Sequence, residues 1–404
     1  MNSRMMLVYI FLIIIHSVAC TREEVKINDE VKTVQDGLIH TLGLQVNSEG
    51  IVTLNGQAYK GVGVNYFSAF SRNLIDVSDT TYKEGFQYLK SQHIPFVRFM
   101  ACGYWPSDWS LYLNNKELYF KRLDQFVKNA EKEGIGLIPS LFWAEFTIPD
   151  LVKEPVNQWG NINSKAIAFM KHYVEEVVTR YRTSPAILGW EFGNEYNLEV
   201  DLPGLDNLPP IWVNLGCPST RSAADKISTR DLIVALNEFG KTVRKFDASR
   251  IIFSGNSIPR ESAYNLDSKK TWDLDTSAQF EIVLGMQNPN PLNSITMHLY
   301  PTTTNRFSDS PTTSLKEIIR ISMEDAQRRK KPLFIGEFGA AIGVDENNKF
   351  KEILDGIEVY NVPISAVWVF DLPQQNSDWN ITSSNRRKYM LEEIGKLNVR
   401  FRNK

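Results

Sequence analysis

The sequence predicts an α/β fold of the (β/α)8 barrel type, a TIM barrel, with a β-hairpin at its N-terminal end. Three observations predict it. Eight short apolar runs alternate with segments of helical periodicity along most of the chain. The runs are apolar throughout, as in parallel strands that are buried on both faces. No glycine-rich phosphate turn follows the first run, which argues against the rival doubly wound sheet.

The predicted elements can be placed in order along the chain. A hairpin opens the fold at Leu44, because Asn55-Gly56 is a strong turn signal between two strand-like segments. The section after the fifth strand is less regular. The predicted strands are 60–67, 96–101, 136–143, 187–195, 250–256, 294–301, 332–339 and 364–371, and the helical segments are 80–92, 116–133, 164–181, 229–246, 314–329, 349–360 and 384–397.

The N-terminal end carries the features of an export signal. An apolar run over 5–15 is shorter than the ~20 residues that cross a bilayer, and small residues follow at 17–19. Residues 1–19 are therefore predicted to be a signal peptide. Cys20 allows two outcomes, a lipidated membrane anchor or free secretion, and 20–43 is predicted to be a polar tether. The catalytic domain is then 44–404, in a secreted or cell-surface protein.

Composition excludes several classes of function. The formal net charge is -2 and there is no basic run, which argues against a nucleic-acid partner. No zinc-type cysteine pairing occurs, and only one histidine, His298, ends a strand, so neither a metal nor a cofactor is predicted. Export would permit a disulfide. The sequence leaves open whether Cys102 and Cys217 form one or stay free.

Polar and aromatic residues collect at the carboxyl ends of the predicted strands. A single residue of this kind would be explained as a buried polar group whose hydrogen bonds are satisfied. Because a barrel has its site at this face, the whole set predicts an active site. They are Asn65, Arg98, Trp143, Asn194, Glu195, Asn256, His298, Tyr300, Glu337, Trp368 and Asp371.

Two of these residues, Glu195 and Glu337, form the pair that glycoside hydrolysis requires. Arg98 and Tyr300 would hold one carboxylate ionised. The other carboxyl, desolvated and close to that charge, would have a raised pKa and remain protonated. Asn194 suits a sugar hydroxyl and Trp368 offers a flat face for a sugar ring.

Four motifs, "WEFGNE", "ITMHLYP", "FIGEFG" and "AVWVFD", resemble the retaining glycosidases of glycoside hydrolase family 5 over roughly residues 50–400. The resemblance implies that Glu195 is the acid/base and Glu337 the nucleophile of a double displacement. In retaining enzymes these carboxyl groups lie about 5–5.5 Å apart. The resemblance also assigns family positions to Arg98, His298, Tyr300 and Trp368.

Glu191 lies four residues before Glu195, an even spacing that places it deeper on the same side of the strand. We predict that it is a buried structural carboxylate paired with a base such as Arg98. Trp105 and Trp143 lie nearest to strand ends and are predicted to contact sugar. The long segment 196–228 is predicted to form a wall of the cleft.

The predicted function is hydrolysis of a β-1,4-linked polysaccharide, mannan or glucan, by an endo-acting monomer. Two alternatives stay open: an exo-acting β-mannosidase or β-glucosidase, and a carbohydrate-binding barrel without activity. Presence of both Glu195 and Glu337 argues against the last, since binding alone requires no matched acid and nucleophile.

Overall fold

The structure is a computed structural model that describes residues 33–35, 38–40, 42–301, 305–310, 312–343 and 345–403. The predicted signal peptide, its cleavage site and Cys20 lie outside the described residues, so export and lipidation stay predictions. Within the predicted tether, strands β1 (Thr33–Gln35) and β2 (Leu38–His40) form an antiparallel pair. Among the described residues, none of the helices combines the length and the apolar character that crossing a bilayer requires.

Eight parallel strands form a nearly closed barrel, which confirms the predicted fold class. Their hydrogen-bonded order is β10-β9-β8-β7-β6-β13-β12-β11. The remaining junction is bridged by Ser294, whose hydroxyl donates to the Ile252 carbonyl at 2.7 Å. The barrel strands are β6 (Gly61–Asn65), β7 (Phe96–Met100), β8 (Gly136–Phe142), β9 (Gly189–Gly193), β10 (Ile251–Phe253), β11 (Ile295–Leu299), β12 (Leu333–Phe338) and β13 (Ile364–Val367).

Helices cover the outside of the barrel, and their ends follow local sequence signals. Helix α7 begins at a capping box in which Ser228 and Asp231 satisfy each other's backbone N–H groups. Helix α4 ends at Gly134, whose φ of 68° suits a residue without a Cβ. The helices are α1 (Ala69–Ile75), α2 (Tyr82–Ser91), α3 (Ser110–Asn114), α4 (Lys116–Glu133), α5 (Thr147–Val152), α6 (Lys165–Tyr181), α7 (Thr229–Phe246), α8 (Ala263–Lys269), α9 (Ser277–Met286), α10 (Leu315–Arg328), α11 (Glu346–Val359) and α12 (Lys388–Arg402).

The predicted hairpin is a three-stranded antiparallel sheet made of β3 (Leu44–Val46), β4 (Val52–Leu54) and β5 (Gln57–Ala58). Its turn at Asn55-Gly56 has positive φ at both positions, as the two residues predicted. The Leu44 amide donates to the Leu188 carbonyl at 2.7 Å, and Leu44 joins a buried apolar cluster with strand residues at the lower end of the barrel. The sheet therefore closes the face opposite to the polar strand ends.

Candidate active site

The two carboxyl groups meet above the barrel because their strands lie across it from each other. Glu337 belongs to β12, and Glu195 follows β9 by two residues. One oxygen of each carboxyl group and a ring nitrogen of His298 lie within 4.8 Å of one another. This is the group of side chains, among the described residues, whose geometry could also hold a metal ion.

Glu337 is held in position by two hydrogen bonds. Arg98 donates from Nη1 to Oε1 at 2.7 Å, and Tyr300 donates its hydroxyl to Oε2 at 2.6 Å. The carboxylate is buried, with 5% of the side chain exposed, so these contacts take the place of water. The Glu337 carboxyl group is thus fixed at the floor of the site.

Arg98 positions several groups around the nucleophile candidate. Its Nε lies 2.8 and 3.0 Å from the two oxygens of Glu191, which confirms the predicted pairing. It also donates to the side-chain oxygens of Asn65 at 2.9 Å and Asn194 at 2.8 Å. Because Arg98 occupies the oxygen of Asn194, the amide nitrogen of that side chain is the end left for a sugar hydroxyl.

Glu195 has an environment opposite to that of Glu337. Burial raises the pKa of its carboxyl above the ordinary value, and a hydrogen bond from Ser257 and the charge of Arg98 act in the other direction. Its backbone is left-handed, with φ at 54°, and its amide donates to the Gly255 carbonyl at 2.9 Å. A protonated Glu195 beside an ionised Glu337 is the arrangement that acid-assisted attack requires.

His298 lies beneath the carboxyl pair and has no exposed surface. Its Nδ1 is 2.9 Å from Glu195 Oε1 and 3.6 Å from Glu337 Oε2. Burial lowers the pKa of the ring to about 3, so the imidazole is neutral at ordinary pH. The residue was predicted among the substrate-binding group, and the structure places it against the two carboxyl groups instead of on the open cleft.

Two tryptophans border the site. The Arg98 guanidinium lies 4.8 Å from the centre of the buried Trp143 ring, a cation–π distance. The half-buried Trp368 lies 6.3 Å from Trp143, and its Nε1 donates to Gln375 at 2.8 Å. Trp368 therefore has an anchored ring with free surface, whereas Trp143 mainly covers Arg98.

Trp105 lies away from the carboxyl pair. Its ring contacts Tyr104 at 4.9 Å, Phe146 at 5.5 Å and Trp212 at 4.9 Å between ring centres. Trp212 belongs to the long segment after Glu195, so this segment reaches the loop that follows β7. This course across the rim agrees with the prediction, made from the length of the segment, that it forms a wall of the cleft.

A cavity of about 540 Å³ opens beside Glu195 on the opposite rim. Glu195 and Tyr300 line one end of it, and Arg260 and Trp272 belong to the same lining. Trp272 is 55% exposed. A chain that occupied this cavity would contact the acid candidate and not Glu337.

Sequence reasoning missed three groups around Glu195. Ser257 forms a hydrogen bond with the Glu195 carboxyl, and the pKa of Glu199 is raised by burial and by the nearby charge of Glu195. Glu145 has a pKa raised to about 7, by burial first and by Glu199 second. Glu199 could have been found from the sequence, because it is an acidic residue one turn after the strand-four motif. No local sequence feature indicates Ser257.

Cys102 and Cys217 are both buried free thiols, so the disulfide that export would have permitted is not formed. Burial raises the pKa of Cys102 to about 12. Burial also raises the pKa of Cys217, and the nearby Asp150 adds to the shift. Each thiol therefore lies in its own buried environment.

The fold and the paired carboxyl groups after strands four and seven are the arrangement typical of (β/α)8 barrel glycoside hydrolases. The model of the cellulase family, glycosyl hydrolase family 5, matches residues 54–370. The chain belongs to glycosyl hydrolase family 5.

Three known proteins illustrate what the chain is similar to. Mannan endo-1,4-beta-mannosidase A of Podospora anserina is 26% identical over 189 residues, 45% of this chain and 41% of that protein. An endo-1,4-beta-mannanase structure from Rhizomucor miehei has a TM-score of 0.63 at 18% identity, over 89% of this chain and 99% of that one. An exo-beta-1,4-mannosidase structure from Opitutaceae bacterium strain TAV5 has a TM-score of 0.60 at 15% identity, over 88% and 62%. The chain thus spans less than half of the curated relative's length, and the two structures bear on the fold.

Proposed function

We propose that the protein is a retaining endo-β-1,4-mannanase, with Glu337 as nucleophile and Glu195 as acid/base. The observation that carries the proposal is the short separation of these two carboxyl groups in opposite environments. Their nearest functional oxygens lie within 4.8 Å. That distance suits the retaining arrangement of about 5–5.5 Å between carboxyl groups and leaves no room for the water of an inverting enzyme.

The first step forms a glycosyl-enzyme. Glu337, positioned by its bonds to Arg98 and Tyr300, attacks the anomeric carbon with a carboxylate oxygen, and the glycosidic C–O bond breaks. Glu195 gives its proton to the departing oxygen, and its raised pKa favours the protonated form that this transfer needs. The product is an ester between Glu337 and the sugar.

The second step returns the enzyme to its starting state. Ester formation removes the negative charge of Glu337, and Glu195 is now ionised. Glu195 takes a proton from water, whose oxygen attacks the anomeric carbon and releases Glu337. The neutral His298, 2.9 Å from Glu195 Oε1, holds this carboxyl in place during both steps. No metal or organic cofactor enters either step.

The choice of mannan is supported by the relatives, since the curated proteins that the chain resembles are named mannan endo-1,4-beta-mannosidases. Endo action is supported by exposed tryptophans on both rims of the site, Trp212 and Trp272, each 55% exposed. A chain that continues past both rims fits such a cleft. An exo-acting β-mannosidase is the second candidate, because one of the similar barrels is an exo-enzyme.

The test measures reducing-sugar release by the full-length protein from mannan, glucomannan, β-glucan and xylan. We expect release from mannan that is absent in Glu337→Gln, with Glu324→Gln, an exposed carboxyl on α10, as the matched control. Product analysis decides the mode of attack: a ladder of oligosaccharides supports endo action, and mannose alone supports exo action. Activity that survives Glu337→Gln would remove Glu337 from its proposed role.

We also propose that the protein is exported, because a polymer of this kind has to be met outside the cell. The apolar run over 5–15 and the small residues before Cys20 support this proposal. Mass analysis of the protein recovered from its native host tests it. A chain that begins at Cys20 with added lipid would identify a membrane anchor, a chain that begins there unmodified would identify free secretion, and an intact N-terminus would contradict export.

A further inference from the structure

A continuous path of aromatic rings connects the candidate site to the rim. It starts at Trp143, which covers Arg98, and passes through Phe67, Tyr104 and Trp105 to Trp212. Consecutive ring centres are 4.7, 6.4, 4.9 and 4.9 Å apart. Exposure increases along the path, from the buried Trp143 to the half-exposed Trp212. The last ring is therefore connected to Arg98 at the candidate site through a continuous series of ring contacts.

One face of the Trp212 ring is covered by Trp105, and the other face is open. Its ring lies at 32° to that of Trp105, 4.9 Å between centres, so one face is covered and 55% of the residue is exposed. The backbone on its C-terminal side is a tight turn, in which the Leu215 amide donates to the Trp212 carbonyl at 2.9 Å.

The segment that carries Trp212 is fixed at two points. Arg221 binds both oxygens of Asp150, at 2.6 and 2.7 Å, and donates to the Pro210 carbonyl at 2.7 Å. At Gly216 an added Cβ would lie 2.9 Å from Pro106, so the segment sits directly on the loop after β7. These contacts hold the indole in one orientation before any ligand binds, which lowers the entropic cost of binding.

We propose that the Trp105–Trp212 stack is a distal binding platform for a β-1,4-linked polysaccharide chain whose cleaved bond lies at Glu195 and Glu337. The inference rests on the proposed function and deepens it, because it makes chain length a determinant of the rate. The C–H face of a pyranose stacks on an indole, and the exposed face of Trp212 provides that surface. A short oligosaccharide bound at the carboxyl pair leaves the platform empty.

The first experiment compares the full-length protein with the variants Trp212→Ala and Trp212→Phe. Val213→Ala, at the exposed residue next to Trp212, is the control. For each, kcat/KM is measured on soluble mannan and on an aryl β-mannobioside. We expect Trp212→Ala to lower the ratio of the two values about tenfold, the size of one stacking contact, mainly through KM. Trp212→Phe should restore most of the ratio, and Val213→Ala should keep it. An unchanged ratio in Trp212→Ala would overturn the proposal.

The second experiment measures binding without turnover and separates the platform from the proposed activity. Glu337→Gln is run through gels that contain galactomannan, glucomannan or hydroxyethylcellulose, with and without Trp212→Ala. Retardation that Trp212→Ala removes supports the platform even for a protein without hydrolytic activity. Equal retardation of both proteins overturns it.

Two other occupants of the exposed indole are tested in the same way. If polysaccharide does not retard the Glu337→Gln protein but phosphatidylglycerol vesicles bind it through Trp212, the partner of the indole would be a membrane surface and not a sugar chain. A dimer in sedimentation velocity that Trp212→Ala dissociates, again without retardation, would assign the indole to contact with a second copy of the chain. Either result overturns the proposal.

Discussion

Arg98 and Glu191 form an ion pair with no exposed surface on either side chain. The guanidinium Nε lies 2.8 Å from one carboxylate oxygen and 3.0 Å from the other. A buried pair of this kind contributes little net stability compared with an apolar pair, but removing one partner leaves an uncompensated charge. Its role here is positional, since the same guanidinium binds Glu337 and Asn194.

Glu191→Ala is expected to lower the free energy of unfolding by about 3–5 kcal/mol, because it breaks a buried ion pair and leaves the Nε–H of Arg98 without an acceptor, while Glu337 still pairs with Nη1. Urea unfolding followed by far-UV circular dichroism measures it. The control is Glu393→Ala, which removes an exposed pair with Lys396 and should cost less than about 1 kcal/mol. Equal losses in the two variants would contradict a special role for the buried pair.

Tyr300→Phe is expected to lower kcat/KM by about 10- to 100-fold, the value of a hydrogen bond to a charged group. The hydroxyl lies 2.6 Å from Glu337 Oε2 and is lost without a change in ring volume. Steady-state kinetics on mannan measures the effect. Tyr88→Phe is the matched control, since the hydroxyl of Tyr88 is buried and has no hydrogen-bond partner among the described residues. A Tyr300→Phe enzyme with normal kcat/KM would separate Tyr300 from Glu337.

Ser257→Ala is expected to move the alkaline limb of the pH profile to higher pH. Glu195 acts as an acid only when protonated, so activity falls as pH rises through the pKa of this carboxyl. The hydrogen bond from Ser257 lowers that pKa, and its removal raises it. The pH dependence of kcat/KM measures the shift. A limb that moves to lower pH would show that another group controls it.

Glu195→Gln is expected to lower kcat/KM on mannan by about 10²- to 10⁴-fold, because the leaving oxygen receives no proton. A dinitrophenyl mannoside leaves without protonation and should react in the first step. Added azide should then release the β-glycosyl azide from the glycosyl-enzyme, which product analysis by NMR identifies. Glu337→Gln should yield no azide product of that configuration, and rescue of both variants would remove the distinction between the two carboxyls.

Much of the architecture was predictable because its signals are local. The apolar run 136–143 is strand Gly136–Phe142, and the segment 229–246 is a helix with the same bounds. The kind of partner that Glu191 has could also be predicted, since a carboxylate in the middle of a buried apolar strand requires a base. The helices Ala263–Lys269 and Ser277–Met286 were not predicted, and the second of them has apolar residues on several faces.

Contacts between distant segments could not be predicted in the same way. The stacking of Trp212 on Trp105 depends on the path of a long segment, which its own Arg221 ties to Asp150 outside it. The contact of Ser257 with Glu195 depends on how the loop after β10 passes the end of β9. In each case the sequence shows the residue but not its neighbour, because the neighbour is set by tertiary packing.

The left-handed backbone of Glu195 has a consequence for how this protein can change over generations. This conformation costs a residue with a Cβ about 1 kcal/mol or more in conformational free energy, whereas glycine adopts it without that cost. Burial of the carboxyl at this position also raises its pKa. Glu195→Gly should therefore give a more heat-resistant and inactive protein, so a lineage released from the need to hydrolyse polysaccharide would gain stability by losing its acid.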